Sequence, residues 1–165
     1  MFFDKVSDID IRRDIIAFGI KAVVLDIDGT LRNRINGETP DDIRQWIREC
    51  RENKLLVCLL SNNFHSNVRD FADEMDLPLF SEAWKPSPSA FSDVMRELGT
   101  TPAQTIMIGN NRIADIVGAH ISGMRAYLVR PIEGHPVIEA TQEVISFSAN
   151  FARDEITRIA SALRS

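Results

Sequence analysis

The chain lacks the sequence features of several protein classes. Its 165 residues include only two cysteines, Cys50 and Cys58, which form no C-x-x-C pair and cannot supply a zinc site by themselves. We expect both to be buried thiols in a reducing compartment, with a disulfide as the open alternative. The longest unbroken apolar run, Leu55 to Leu60, is much shorter than the roughly 20 residues that span a bilayer, so no transmembrane segment is predicted.

Charge and the first residues exclude further classes. The net charge is −5 and Lys and Arg form no cluster, so we expect no nucleic-acid surface and no nonspecific attachment to anionic membranes. Met1-Phe2-Phe3 is followed at once by Asp4 and Lys5, which predicts no secretory signal and a cytoplasmic location. With 44% hydrophobic and 26% charged residues, the composition predicts a single globular domain over residues 1–165.

Short apolar runs alternate with amphipathic stretches along the chain. This alternation predicts an α/β fold, a parallel sheet with helices on both faces. The predicted strands cover 22–25, 55–60, 79–80, 105–108 and 124–129. The predicted helices cover 39–50 (capped by Thr39), 64–75, 87–98 and 112–121, with a closing helix from residue 151 and a loop with one short edge strand in 131–149.

Four polar clusters each follow a predicted strand. Ligands of an open α/β sheet bind at the carboxyl ends of its strands, so the four clusters are expected to meet in one crevice. The first is Asp26-Ile27-Asp28-Gly29-Thr30, whose two carboxylates should face the same side of an extended segment and would suit Mg²⁺. A loop of solvated aspartates is the alternative. A calcium loop fails because its twelfth position is Gly37 rather than Glu.

The second cluster, Ser61-Asn62-Asn63, follows the most apolar strand and precedes a helix. A serine hydroxyl and backbone N–H groups at such a place form an anion site. The alternative is that Ser61 or Asn63 simply caps the helix, and for this cluster taken alone capping is the better interpretation.

The last two clusters surround Lys85 and Asn110. Lys85 could keep a nucleophilic carboxylate ionised and neutralise phosphate charge, while Trp84 beside it is expected to pack against the protein. Asn110 and Asp115 offer oxygen ligands near the proposed cation. The alternatives are an ordinary surface lysine and a first-turn acid that stabilises a helix.

In this order and after successive strands, the four clusters resemble the signature of phosphatases of the haloacid dehalogenase (HAD) superfamily. The similarity covers about residues 20 to 130. Within the superfamily it is strongest to subfamily IIIA proteins of the YqeG type, some of which are phosphatidylglycerophosphate phosphatases. The matched positions are Asp26 and Asp28 for the aspartate pair, Ser61 for the phosphate-binding residue, Lys85 for the lysine, and Asn110 and Asp115 for the terminal acidic motif.

The resemblance implies a three-layer Rossmannoid fold and a Mg²⁺-dependent phosphomonoester hydrolase. Asp26 would form an aspartyl-phosphate, and Asp28 would first protonate the leaving oxygen and then activate water. Assigned by role, the catalytic residues are Asp26, Asp28 and Lys85; the substrate-binding residues are Thr30, Ser61 and Asn62; and the metal-binding residues are Asp26, Asp28, Asn110 and Asp115.

The sequence leaves no room for a cap domain between its motifs. Only a loop, a helix and a strand fit between Asp28 and Ser61, and only a helix and a short strand between Ser61 and Lys85. We therefore expect an open crevice, suited to a lipid-anchored or other bulky phosphate such as phosphatidylglycerophosphate at a membrane periphery, or covered by a second subunit of a homo-oligomer.

Asn110 stands where the family usually has aspartate, which removes one negative charge from the metal site. A HAD-fold binding protein with weakened catalysis is therefore one alternative, and a phosphatase of a soluble metabolite is another. Phosphate release that requires both Mg²⁺ and Asp26 would separate the enzyme from the binding protein.

Overall fold

The computed structural model describes residues 1–63 and 65–132, and its strands form one parallel sheet of six. The order across the sheet is β1-β6-β5-β2-β3-β4, so β2, which leads into Asp26, lies near the middle. The strands are β1 Phe2–Phe3, β2 Ala22–Leu25, β3 Leu56–Leu60, β4 Leu79–Phe80, β5 Thr105–Gly109 and β6 Arg125–Val129.

The helices follow the strands as predicted, with small shifts at their ends. They are α1 Asp41–Glu52, α2 Ser66–Met75, α3 Pro88–Leu98 and α4 Gly118–Ile121. The helix predicted over 112–121 begins as a π-helical turn, Arg112–Val117, and becomes α-helical only in α4. All five predicted strands are confirmed to within one residue at either end.

Alternate residues of the strands contact different helix layers. Val23 and Leu25 belong to a core that includes α1 and α2, whereas Val24 between them packs with α3. The strand period of two produces this division, because successive side chains point to opposite faces of a sheet. A parallel sheet covered on both faces needs apolar side chains on both, which explains why β2 is buried throughout. The predicted three-layer fold is confirmed.

The first 20 residues contain structure that the sequence pattern did not predict. Phe2–Phe3 pairs with β6 as an edge strand, and the Phe3 and Tyr127 rings lie 5.3 Å apart. A π-helical turn, Ile11–Ile15, follows, and Asp10 caps it by accepting from two backbone N–H groups. Two residues are too few to show strand alternation, so only pairing with β6 makes β1 a strand.

The predicted cap of α1 is wrong. The helix starts at Asp41 with Pro40 in the N-cap position, and Thr39 lies one residue further out. The Thr39 hydroxyl is buried and has no hydrogen-bond partner among the described residues. A side-chain cap must come from the N-cap residue itself, and proline has no side-chain oxygen to accept the bond.

No cap domain interrupts the sheet between the proposed catalytic residues. Only α1 and β3 separate Asp28 from Ser61, and only α2 and β4 separate Ser61 from Lys85. The predicted tail helix and most of 131–149 lie outside the described residues, and a single domain over 1–165 stays a prediction. Within the described part of the chain, no helix is long and apolar enough to cross a membrane.

Both cysteines are free and buried, as predicted, so the disulfide alternative is wrong. Burial raises the pKa of each thiol to about 12. Only the thiolate reacts with a thiol reagent, and at pH 8 roughly one thiol in 10⁴ would be ionised. We expect neither Cys50 nor Cys58 to react with an aromatic disulfide reagent in the folded protein, and both to react in urea. Rapid labelling of the native protein would contradict this burial.

Candidate active site

The ammonium group of Lys85 is the centre of the site. Its Nζ donates to Asp26 Oδ1 and Asp115 Oδ1, each at 2.7 Å, and to the carbonyl oxygen of Leu60 at 2.8 Å. The lysine, which precedes α3, thereby joins the ends of β2 and β3 to the turn after β5. Three donor hydrogens meet three acceptors, so this buried cation is fully hydrogen-bonded.

Burial and charge act together on this group. Burial favours the neutral lysine, but the charges of Asp115 and Asp26 outweigh it and raise the pKa of Lys85 above its ordinary value of 10.5. Burial also raises the pKa of Asp115 to about 6, and Asp26 adds to this while Lys85 opposes it. Lys85 therefore stays protonated, whereas the buried carboxyl group of Asp115 is costly to ionise.

Asp26 is held by both of its carboxylate oxygens. Oδ1 accepts from Lys85, and Oδ2 accepts from the Thr30 hydroxyl at 2.9 Å. The Asp26 backbone N–H donates to Ile108 O of the neighbouring strand, which fixes the residue at the carboxyl end of the sheet. A nucleophile needs such fixed geometry, because misplacement of the reacting atoms is costly in rate.

Asn62 of the second cluster binds the backbone of the loop that carries Lys85. Asn62 exchanges two hydrogen bonds with the Lys85 backbone: Asn62 Nδ2 donates to Lys85 O at 3.0 Å, and Lys85 N–H donates to Asn62 Oδ1 at 2.7 Å. The buried Ser61 hydroxyl accepts from Asn63 N–H at 3.0 Å and can still donate its own proton to a ligand. Neither side chain caps α2, because the N-cap residue is His65.

The Asp28 carboxylate is bound by Asn63 of the second cluster and by Arg32, which the sequence analysis did not include. Arg32 contacts its Oδ1 from two nitrogens at 2.8 Å, and Asn63 Nδ2 donates to Oδ2 at 3.2 Å. Arg32 is buried, donates to the carbonyl oxygen of Asn67 and lies 5.2 Å from the Phe71 ring centroid in α2. The four-residue spacing from Asp28 to Arg32 was a signal for this pair, but the arginine's burial was not visible in the sequence.

The backbone carbonyl oxygen of Asp28 has two donors. Asn110 Nδ2 and Arg34 Nε each donate to it at 3.1 Å. Gly29 makes this approach possible, since a Cβ there would lie 2.2 Å from Asn110 Nδ2, and its φ of +81° favours glycine. Asn110 is thus within reach of the predicted metal site, with its amide nitrogen rather than its oxygen toward the carbonyl.

The predicted metal ligands fit a hard cation by type. Asp26 supplies a carboxylate, Asp28 a carbonyl, and Asn110 an amide whose oxygen could face the ion after rotation. Asp115 lies deeper, with Oδ1 on Lys85 and Oδ2 accepting from Asn111 N–H at 3.0 Å. In residues 1–63 and 65–132, no three His, Cys, Asp or Glu side chains form a metal cluster, so the carbonyl and amide must complete the set.

Trp84 does not pack against the protein, which corrects the expectation. Its side chain is 81% exposed and its φ is +54°. The loop around it is anchored, because Ala83 N–H donates to Ser61 O and Ser87 N–H donates to Trp84 O. Ile35, on the loop after the aspartate pair, is 88% exposed. Two large apolar side chains therefore lie exposed on loops that carry site residues.

Comparison with known families agrees with this geometry. A family model described as haloacid dehalogenase-like hydrolase matches residues 32–123, more than half of the chain. The chain belongs to this family. Its expected membership of the HAD superfamily and its expected class, a hydrolase, are confirmed. The matched range starts after Thr30, so the assignment of the HAD aspartate pair to Asp26 and Asp28 stays a prediction.

Individual relatives give more detail. The chain is 26% identical to the probable phosphatase YqeG of Bacillus subtilis, over 88% of this chain and 79% of that one. It is 42% identical over 60 residues to the phospholysine phosphohistidine inorganic pyrophosphate phosphatase of Xenopus laevis, but spans only 22% of that protein. The cobalt-bound deoxy-D-mannose-octulosonate 8-phosphate phosphatase of Haemophilus influenzae superposes with a TM-score of 0.50 at 24% identity, over 56% of this chain and 60% of that one.

Replacing Lys85 with methionine should destabilise the protein by about 3–5 kcal/mol, because the buried Asp115 and the partly buried Asp26 lose their shared cation. The folded-state pKa of Asp115 is raised above 3.8, to about 6, so its proton stabilises the fold at low pH and this contribution is lost as the pH rises through about 6. Without Lys85 that pKa should rise further. The loss of unfolding free energy should therefore be larger at pH 8 than at pH 5, measured by urea denaturation.

The exposed Lys21 offers a matched control, since Lys21→Met removes the same charge outside the site. It should change the unfolding free energy by less than about 1 kcal/mol at both pH values. Equal losses of unfolding free energy in Lys85→Met and Lys21→Met would show that Lys85 does not stabilise the carboxylates of Asp26 and Asp115.

Proposed function

We propose that the protein is a Mg²⁺-dependent phosphomonoester hydrolase that acts through an aspartyl-phosphate on Asp26. The observation that carries this proposal is the position of Asp26 at the carboxyl end of a central strand, between Lys85 and Thr30. Membership of the HAD-like hydrolase family supports the same class, and so does similarity to a probable phosphatase and to a phosphatase.

The chain's own residues provide the parts of a two-step transfer. An Asp26 carboxylate oxygen bonds to phosphorus while the ester oxygen leaves and takes a proton from Asp28. Water then attacks the phosphorus of the aspartyl-phosphate, gives a proton to Asp28, and releases inorganic phosphate and the Asp26 carboxylate. In this proposal Ser61, Thr30 and Asn62 would orient the phosphoryl group, and Lys85 would keep a positive charge beside it.

Mg²⁺ held by Asp26, the Asp28 carbonyl and Asn110, with Asp115 behind them, would neutralise negative charge that develops on the phosphoryl oxygens. The donor types support this assignment, and the cobalt-bound state of one structural relative is consistent with a divalent cation. Arg32 and Asn63 bind the two oxygens of the Asp28 carboxylate and fix its orientation.

Asp26→Asn should lower phosphatase activity by at least about 10³-fold, because it removes the nucleophile. The fold should persist, since Lys85 keeps Asp115 and Leu60 O as partners. The measurement is Mg²⁺-dependent phosphate release from an aryl phosphate, combined with mass spectrometry of peptides after borohydride trapping of the acyl phosphate. The borohydride-trapped residue should be found at Asp26, and only in the parent protein.

Asp73→Asn is the matched control, because Asp73 is an exposed carboxylate on α2 outside the site. It should keep the parental rate. Parental activity in Asp26→Asn would contradict the covalent mechanism, and a parent protein that binds Mg²⁺ but releases no phosphate from any ester would favour the binding-protein alternative.

For the substrate, we propose a phosphate ester with a bulky apolar part, with phosphatidylglycerophosphate as the leading example. Among the described residues, no cap element lies between Asp28 and Lys85, so the segments that join the motifs do not cover the crevice. The exposed Trp84 and Ile35 on the neighbouring loops offer apolar surface to such a group. A cytoplasmic enzyme at the membrane periphery fits this substrate. A soluble metabolite, with a second subunit covering the site, is the alternative.

The ratio of kcat/KM for phosphatidylglycerophosphate in mixed micelles to that for glycerol 3-phosphate should exceed one, and Trp84→Ala should lower it. The physical reason is that apolar contact outside the crevice binds only the lipid. Ile121→Ala is the control, because Ile121 is also exposed but lies on α4. A ratio near one in the parent protein would redirect the search to soluble phosphate esters.

A further inference from the structure

The backbone carbonyl oxygen of Asp28 accepts hydrogen bonds from two side chains. Arg34 Nε and Asn110 Nδ2 both donate to it at 3.1 Å, so both of its lone pairs are used. The proposed function assigns this same oxygen to Mg²⁺, which would need one of these lone pairs and would bring a double positive charge next to the Arg34 guanidinium. The amide can rotate to present its oxygen, but a guanidinium has no acceptor atom to present.

The arrangement is built into the backbone. At Gly29, a Cβ would lie 2.2 Å from Asn110 Nδ2 and 3.2 Å from Arg34 Nε, so both groups pack against the bare backbone of this residue. Arg34 itself is exposed and lies in a turn where Asn33 Oδ1 accepts from the N–H groups of Ile35 and Asn36. The turn holds the Arg34 backbone, while its exposed side chain can leave the carbonyl at little cost.

The charges of the site are balanced without a metal ion. Asp26 and Asp115 share Lys85, Asp28 pairs with Arg32, and Arg34 lies on the Asp28 carbonyl. Three carboxylates therefore face three cations. A divalent cation alone would leave this cluster with a formal charge of +2, whereas a divalent cation together with a phosphate dianion would restore the balance.

We infer that Arg34 competes with Mg²⁺ for the Asp28 carbonyl oxygen, so that the metal binds tightly only together with a phosphate group. The inference rests on the proposed function for the place of the metal. It deepens that function by making substrate binding and metal binding depend on each other, since coupling between two ligands is reciprocal. Arg34 thus acts on the metal site through the Asp28 carbonyl oxygen without being a metal ligand.

The test is isothermal titration calorimetry of Mg²⁺ into the full chain, without substrate. Arg34→Ala should bind Mg²⁺ about three- to tenfold more tightly than the parent protein, because a positive charge and a competing donor are removed from the carbonyl. Arg48→Ala is the matched control: Arg48 is an exposed arginine on α1 whose side chain contacts Gln45, and its loss changes the net charge equally. It should leave Mg²⁺ affinity unchanged.

A second titration in the presence of inorganic phosphate measures the coupling. Phosphate should tighten Mg²⁺ binding by a larger factor in the parent protein than in Arg34→Ala, because the variant has one positive charge fewer to balance. Thermal melts of the variants check that each is folded, as expected for exposed positions.

Unchanged or weaker Mg²⁺ binding by Arg34→Ala would overturn the inference, and so would an equal gain in Arg48→Ala or the absence of Mg²⁺ binding in all three proteins. The proposed function fails differently. If Arg34→Ala gains affinity as expected but no phosphate ester is hydrolysed, the competition at the carbonyl stands and the phosphatase proposal falls.

Discussion

The buried ammonium of Lys85 is the interaction on which the rest of the site depends. A cation with almost no contact to water must have its hydrogen-bond acceptors in place, and removing any of them would be costly. Its acceptors come from the ends of β2 and β3 and from the turn after β5. The lysine therefore fixes the position of Asp26, the proposed nucleophile. It also connects the segments that follow β2, β3 and β5.

Two arginines bind Asp28 at different groups. Arg32 holds its carboxylate from the side of α2, and Arg34 contacts its carbonyl from the loop. The two arginines lie two residues apart in the sequence but differ in environment, because Arg32 is buried against Phe71 and Arg34 is exposed. The buried arginine can orient a group permanently, whereas the exposed one can give way to an incoming cation.

The periodicity of the sequence was sufficient for the sheet and for the meeting of its motifs. An apolar run such as Leu55 to Leu60 predicts burial on both faces of a parallel sheet between helix layers, and in the structure only Leu56 of this run is exposed. Parallel strands bring their carboxyl ends to one edge, so Asp26, Ser61, Lys85 and Asp115 could be expected to converge. The absence of a cap domain between the motifs could be predicted from their spacing, because too few residues separate them to build another domain.

Tertiary structure decided what depends on burial and on contacts between distant residues. Phe2–Phe3 is a strand only because β6 presents a free edge to it, and Thr39 fails to cap α1 because the helix begins beyond Pro40. Trp84 is exposed because the loop that carries it is pinned at Ser61 and Asn62, with its backbone in the left-handed region. The sequence by itself thus determined which chemical groups meet. Packing determined which of them are buried, paired or free to move, since these properties depend on neighbours that are far apart along the chain.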